Sequence, residues 1–361
     1  MHTDSAPDIA AALVYVHDQM PGWHRVRRGR GFSYHDSTGQ HIQDPAQIRR
    51  IQALAIPPAY TAVWICPNPA GHLQATGRDA RGRKQYRYHP AWQARRAQRK
   101  FERMQAFAHH LPAIRRAVAR DLRTSHPDLQ TVAAAVVRLL DSTALRIGND
   151  SYATHNGSFG LTTLRNRHVQ SDAHTLRLRF KGKSGVEQQA RVVDARLVRI
   201  VRRCQELPGQ RLFQFVDAQD EVHHVRSEHI NAYLRTISGE DFTAKDFRTW
   251  HASVLALAWA LDMQIPNEAS STAAALSANA IVQRVAQHLG NTCAVCRKFY
   301  IHPDVLAFCA LPPPRPRAAA ARARKGLHAA ECMLQAFLQN PVRLAAASPR
   351  PPKGMPSWRL G

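Results

Sequence analysis

Tyr300 lies in the stretch LGNTCAVCRKFYIHP (residues 289–303), just after Arg297 and Lys298. A tyrosine in basic surroundings is a candidate nucleophile toward a phosphodiester, because nearby cations favour the phenolate and attract the anion it would attack. A free phenol, with a pKa of about 10, is only about one part in a thousand ionised at neutral pH, so the chemistry needs cationic or basic help. Without that help a tyrosine at the end of an amphipathic helix is ordinarily a packing residue with its hydroxyl at the surface. Its local frame is well marked: Gly290 should end one helix, Thr292 is a good N-cap for the next, and Pro303 limits how far that helix can run.

The rest of the chain must supply the cations, and it has many. In 361 residues, 50 Lys+Arg stand against 26 Asp+Glu, a formal charge of +24 spread along most of the length. Such a balance implies a polyanionic partner, with nucleic acid as the default. A membrane surface is the competing partner, but no run approaches the roughly 18 apolar residues needed to span a bilayer. The start MHTDSAPD has early acids and no apolar core, so no secretory signal is expected. Six cysteines without a disulfide-framework spacing fit reduced thiols in a cytoplasm. Cys293 and Cys296 form a CxxC, but no second pair accompanies it and no metal site is expected there.

The elements that position Tyr300 divide into two textures. Residues 1–90 read as a small N-terminal antiparallel β-sheet domain. It opens with a short helix over 8–19, followed by strand-like pieces at 23–26, 32–35, 62–66 and 72–77. A helix over 45–54 has Asp44 and Pro45 as N-cap and N1. Its last segment, ATGRDARGRKQYRYHP (75–90), crowds Arg83, Lys84, Gln85, Tyr86 and Tyr88 around a turn. Gln can meet a base edge, while Arg, Lys and Tyr reach phosphates or stack, so DNA contact is the favoured reading over a merely basic hairpin.

Residues 91–310 read as a larger, mainly α-helical domain. Helices are expected over 91–122, from 129 to 148 with Arg146 in the last turn, over 194–206, 227–237, 243–261 and 280–289. A β-insert interrupts them, with strands at 161–169, 176–180 and 186–192 and Lys183 at a hairpin tip. Thr243 and Asp246 form a capping box, and the apolar stripe beginning at Phe247 and Trp250 places Arg248 off the buried face. An Arg in a last helical turn can merely complement the dipole, and a hairpin Lys can merely be solvated. GKS at 182–184 does not complete a phosphate loop, since residue 177 is Arg where glycine is required. Residues 267–279 read as a mobile connection or weak helix. Residues 311–361 read as a basic, Pro/Ala-rich tail, partly disordered, with one helix over 327–338 and added non-specific affinity for DNA.

Taken in order, LRIGND at Arg146, FKGKSG at Lys183, KDFRTW at Arg248, GNT at Asn291 and the following Tyr300 resemble the type IB DNA topoisomerases of the small poxvirus-like and bacterial kind. The segment ATGRDARGRKQYRYH belongs to the same resemblance, which covers about residues 20–310. It implies an α+β protein whose two domains form a clamp around duplex DNA, and an enzyme that relaxes supercoils by transient single-strand cleavage. By matching residues, Tyr300 is the nucleophile forming a 3′-phosphotyrosyl link, and Arg146 and Arg248 hold the non-bridging oxygens. Lys183 protonates the 5′ leaving oxygen, and Arg83, Lys84, Gln85, Tyr86 and Tyr88 contact DNA. Neither metal nor nucleotide cofactor is implied, since the phosphotyrosyl ester conserves the linkage needed for resealing. A monomer acting in the cytoplasm, on the bacterial nucleoid, is the corresponding expectation.

Asn291 is the one departure, since many members of that family carry His there. Asn can donate a hydrogen bond to a phosphate oxygen but cannot carry charge or shuttle a proton. Tyrosine recombinases share the Arg, Lys, Arg and Tyr logic, but they use an HxxR pattern where this chain reads KDFR at 245–248. A non-catalytic architectural DNA-binding protein would account for the charge but not for Tyr300 in register with the other positions.

Overall fold

The structure is a computed structural model that describes residues 13–261, 277–311 and 321–339. The architecture is α+β and divides into two compact units, residues 1–100 and 101–361. In the first, strands β1 (Trp23–Arg28) and β2 (Gly31–His35) precede helix α1 (Pro45–Ala53). Strands β3 (Thr61–Ile65), β4 (Leu73–Arg78) and β5 (Lys84–Tyr88) follow. They form one antiparallel sheet in the order β2-β1-β3-β4-β5. Asp44 caps α1 by accepting from the Ala46 N–H at 2.9 Å, with Pro45 in the first turn as its fixed φ favours. One face of the sheet packs Ile51 of α1 against Val63, Ile65 and Ala75, and the other packs Val16 against Trp64, Cys66 and Leu73.

The helix expected over 8–19 does not form in its described part. Val14 instead makes a parallel bridge to Gly71, its N–H donating to Ala70 O at 2.9 Å. The segment is extended because its backbone finds partners on the sheet side of the chain and Val16 fills the second core, a tertiary gain that local helix propensity cannot match. Residues 8–12 lie outside the described residues.

Helix α2 (Pro90–Asp121) carries the chain across the division, and its stripe Phe101, Met104, Phe107, Leu111, Ile114 and Val118 is buried. There follow α3 (Leu129–Thr143), α4 (Asp150–Asn156), β6 (Val169–Ser171), β7 (Thr175–Lys181), β8 (Glu187–Val193), α5 (Ala195–Glu206), β9 (Gln214–Val216) and β10 (Val222–His224). Then come α6 (Ser227–Ser238), α7 (Ala244–Ala260), α8 (Ala278–Leu289), α9 (Cys293–Phe299), α10 (Pro303–Ala310) and α11 (Ala329–Gln339). Helices α3 and α7 are buried on almost every side and form the middle of this unit, which suits their Ala- and Val-rich sequences. Strands β6, β7 and β8 form the insert, an antiparallel sheet in that order. No helix among the described residues is long and apolar enough to cross a membrane.

Three local expectations are corrected here. The helix read to residue 148 stops at Thr143, where Ala144 takes the left-handed conformation (φ 52°). The strand read over 161–169 is two 3-10 turns, Leu161–Thr163 and Asn166–His168, before β6 begins. Its backbone groups are spent elsewhere: the N–H groups of Leu161 and Thr162 donate to Arg146 O (2.9 Å) and Ile147 O (2.7 Å). Arg248, expected off the buried face of α7, is only 3% exposed.

Within the stretch read as a basic tail, α11 buries Leu334 and Phe337. Its Glu331 joins a closed ion cluster. Arg115 reaches both Asp141 oxygens and both Glu331 oxygens at 2.8 Å, and the Trp250 indole N–H donates to Glu331 at 3.0 Å. Burial alone would push the Glu331 carboxyl up, but Arg115, the His328 N–H and Trp250 outweigh it and hold it down at about 2. Residues 267–276, 312–320 and 340–361 lie outside the described residues.

Candidate active site

The turn between α8 and α9 forms as its sequence prescribes. Gly290 caps α8 in the left-handed region (φ 58°), and the Thr292 hydroxyl accepts from the Val295 N–H at 3.3 Å to start α9. Tyr300 is the residue after the last turn of α9, with its N–H on Cys296 O at 3.0 Å. Pro303 does not end α9 but opens α10 at its first position.

Ser253 of α7 fixes the backbone on both sides of the tyrosine. Its buried hydroxyl donates to Tyr300 O at 3.3 Å and accepts from the His302 N–H at 2.9 Å. The sequence did carry a signal for it: Ser253 is the one hydroxyl interrupting the apolar run 252–261, and a buried hydroxyl has to find partners.

Arg248 projects from α7 beneath Tyr300, its guanidinium carbon 5.2 Å from the ring centroid. Two carbonyls at element ends hold it. One terminal nitrogen donates to Ala144 O, the left-handed cap of α3, and the other to Leu289 O at 2.9 Å, the last residue of α8. These contacts explain the burial that an amphipathic reading of α7 misses, since helix-end carbonyls lack partners of their own and welcome a cation. Its Nε is buried and has no partner.

Arg146 lies in the extended segment after α3, half-buried, and donates to Gly290 O at 2.9 Å and to the Asn291 side-chain oxygen. Burial, reinforced by repulsion from Arg248, pushes its guanidinium down to about 10, while Tyr300 and Cys296 act in the opposite direction. It is therefore charged at neutral pH. Asn291, oriented by Arg146, presents a buried Nδ2 donor with no partner. Cys296 closes the site floor, its thiol pushed up to about 11 by burial, too high to act as a thiolate at neutral pH.

Tyr300, Arg146, Arg248 and Asn291 are thus gathered in one place. Lys183 is not part of that cluster. It is exposed in the tight turn Lys183–Gly185 between β7 and β8, and no hydrogen bond or ion pair joins it to the other four among the described residues. Arg83, Lys84, Gln85, Tyr86 and Tyr88 lie on or beside β5, the sheet edge of the first unit. There Arg83 and Gln85 bind Asp79 at 2.7 and 3.0 Å, and Lys84 binds Asp18 at 2.5 Å. Tyr86, half-exposed, stacks on Tyr88 with ring centroids 6.0 Å apart. The described group within ligand reach of a common point is Asp217, Glu221 and His223, on the β9–β10 hairpin.

Two guanidiniums side by side with no carboxylate pairing either among the described residues, and two buried donors left open beside a phenol, define a site for an anion next to a hydroxyl nucleophile. Comparison with known proteins gives that class a name. Residues 89–307 match the family model described as eukaryotic DNA topoisomerase I, catalytic core, and residues 31–79 match bacterial DNA topoisomerase IB, N-terminal domain. The chain is 31% identical over 239 residues to a DNA topoisomerase 1B of Acanthamoeba polyphaga mimivirus, covering 65% of this chain and 71% of that protein. The chain belongs to the type IB DNA topoisomerases, ATP-independent enzymes that change the topology of DNA.

Proposed function

We propose that this enzyme relaxes supercoiled DNA through attack of Tyr300 on one phosphodiester. The Tyr300 oxygen bonds to phosphorus as its proton passes to water, and the bond from phosphorus to the 5′ oxygen breaks. The Lys183 ammonium gives that oxygen a proton, leaving a 3′-phosphotyrosyl link and a free 5′-hydroxyl. Religation runs the same steps backward with the ester energy conserved, so the reading calls for neither nucleotide nor metal. Arg146 and Arg248 hold the non-bridging oxygens, where charge accumulates in the transition state.

The observation that carries this reading is the pair of buried open donors, Arg248 Nε and Asn291 Nδ2, the first on the guanidinium beside the Tyr300 ring and the second on the side chain bonded to Arg146. Leaving a buried donor unmade costs roughly 1–3 kcal/mol, more on a charged group, and a phosphate oxygen would satisfy both. Lys183 stands outside this cluster, on the exposed turn between β7 and β8, and its role as proton donor is supported by the place of FKGKSG in the order of the family's motifs. In this reading residues 1–90 grip the duplex through Arg83, Lys84, Gln85, Tyr86 and Tyr88. Residues 91–310 carry the chemistry, and the basic stretches of 311–361 add non-specific affinity. The two domains close around double-stranded DNA as a clamp, and the enzyme works as a monomer on nucleoid DNA in the cytoplasm.

Plasmid relaxation in EDTA without ATP tests the reading. The wild type should relax the plasmid to completion, and Tyr300→Phe should bind DNA but neither relax it nor form a covalent complex. Relaxation by Tyr300→Phe would remove the tyrosine from its role, and binding without relaxation by the wild type would leave a DNA-binding protein only.

A further inference from the structure

Lys183 and Asn291 sit on separate elements, yet one side chain lies against the residue that precedes each of them. Gln188, on β8, pairs across the hairpin with Phe180 and is half-buried. It lies against Gly182, where an added Cβ would stand 2.7 Å from its Cγ. At its far end it lies against Gly290, where an added Cβ would stand 2.5 Å from its Nε2 and 3.0 Å from its Oε1. Gly182 immediately precedes Lys183, and Gly290 immediately precedes Asn291 while its carbonyl accepts from Arg146. The Gln188 amide is itself steadied by donation to Glu187 O at 3.2 Å.

We infer that Gln188 is a positioning residue, a strut that sets the height of the Lys183 turn over the Arg146, Asn291 and Tyr300 cluster. Both glycines are needed for it: a side chain at either would occupy the space the glutamine takes. The inference rests on the proposed role of Lys183, whose turn is otherwise exposed and carries the left-handed residues Ser184 (φ 63°) and Gly185 (φ 79°). A hairpin tip of that kind has several ways to lie, and the packed side chain selects one. A misplacement of about 1 Å of a proton donor can cost about 100-fold in rate, which is the scale of effect a strut controls.

The test is a double-mutant cycle read by single-turnover cleavage of a duplex oligonucleotide, with DNA affinity and melting temperature measured alongside. Gln188→Ala should slow cleavage about 10- to 100-fold at unchanged DNA affinity and melting temperature. Gln188→Met, which keeps the reach without the amide, should recover most of the rate. In a Lys183→Ala background, Gln188→Ala should cost less than about 2-fold more, because a strut has nothing left to place. Full additivity, or a wild-type rate for Gln188→Ala, overturns the inference.

A second substrate, carrying sulfur in place of the 5′ bridging oxygen, separates the two claims, since a thiolate leaves without a proton. Rescue of Lys183→Ala and Gln188→Ala alike on that substrate supports both the acid role and the strut. If Lys183→Ala is not rescued while the cycle remains non-additive, the acid role fails and the strut stands. Should Gln188→Ala prove poorly folded, Gly182→Ala displaces the same side chain from the hairpin side and enters the same cycle.

Discussion

Replacing Asn291 by alanine probes the least expected member of the site. The change removes two things and leaves a third. It removes the side-chain oxygen that accepts from Arg146, and it removes the buried Nδ2 proposed to meet the phosphate. It leaves the backbone intact, because the Asn291 N–H donates to Ala286 O at 2.9 Å and Gly290 still caps α8. Arg146 also keeps its bond to Gly290 O. Each lost contact is worth roughly 1 kcal/mol, so the transition state should lose roughly 2 kcal/mol, or about 30-fold in cleavage rate. Single-turnover cleavage of a duplex oligonucleotide, with the covalent complex trapped on a denaturing gel, reads that number directly. In an Arg146→Ala background the loss should shrink to about 5-fold, since only the phosphate contact remains to be lost. A loss as large as that of Tyr300→Phe would refute a supporting role for Asn291. A loss under about 2-fold would refute the proposed bond to phosphate.

Arg248→Lys keeps the charge but has too few donors in the right places, since two of the three guanidinium nitrogens already serve Ala144 O and Leu289 O. Cleavage should fall about 100-fold in the same gel assay with folding retained, and a near-normal rate would show that Nε is not the phosphate donor. Glu331→Gln should lower the unfolding free energy by roughly 3 kcal/mol in urea titration at neutral pH, because it strips Arg115 of a buried partner. The Glu331 carboxyl sits below its ordinary 4.5, so its stabilisation is present above that pH and is lost as the pH falls from about 4.5 toward 2. The variant should accordingly show a flatter stability profile across that window, and an unchanged slope would place the acid sensitivity elsewhere.

How much of this was legible in the sequence depended on whether a feature is local. Asp44 with Pro45, Thr243 with Asp246, and Gly290 with Thr292 punctuate helices through their own side chains and backbone, and the structure places them as read. A helix read from the sequence takes in Arg146 because nothing in an alanine announces a left-handed cap. Ala144 takes that conformation where its carbonyl meets Arg248, a contact between distant segments. Arg248 escapes the sequence for the same reason, since periodicity sees a charge on a helix and cannot see the two helix ends that accept it. The order of the motifs carried the family, but the gathering of Tyr300, Arg146, Arg248 and Asn291 depends on helix α7 meeting the segments that follow α3 and α8, which no single stretch encodes. Gln188 had no sequence signal at all, being one polar residue among the alternating residues of β8.

The cluster of Arg115, Asp141, Glu331 and Trp250 also has a consequence in time. Trp250 stands on α7 two residues from Arg248, and its indole proton is satisfied by a carboxylate from α11, which follows Tyr300 in the chain. During synthesis, therefore, a ribosome exposes every candidate catalytic side chain before the helix that completes their support has emerged. Until α11 arrives, the Trp250 indole and one side of Arg115 lack that carboxylate, two residues along α7 from Arg248.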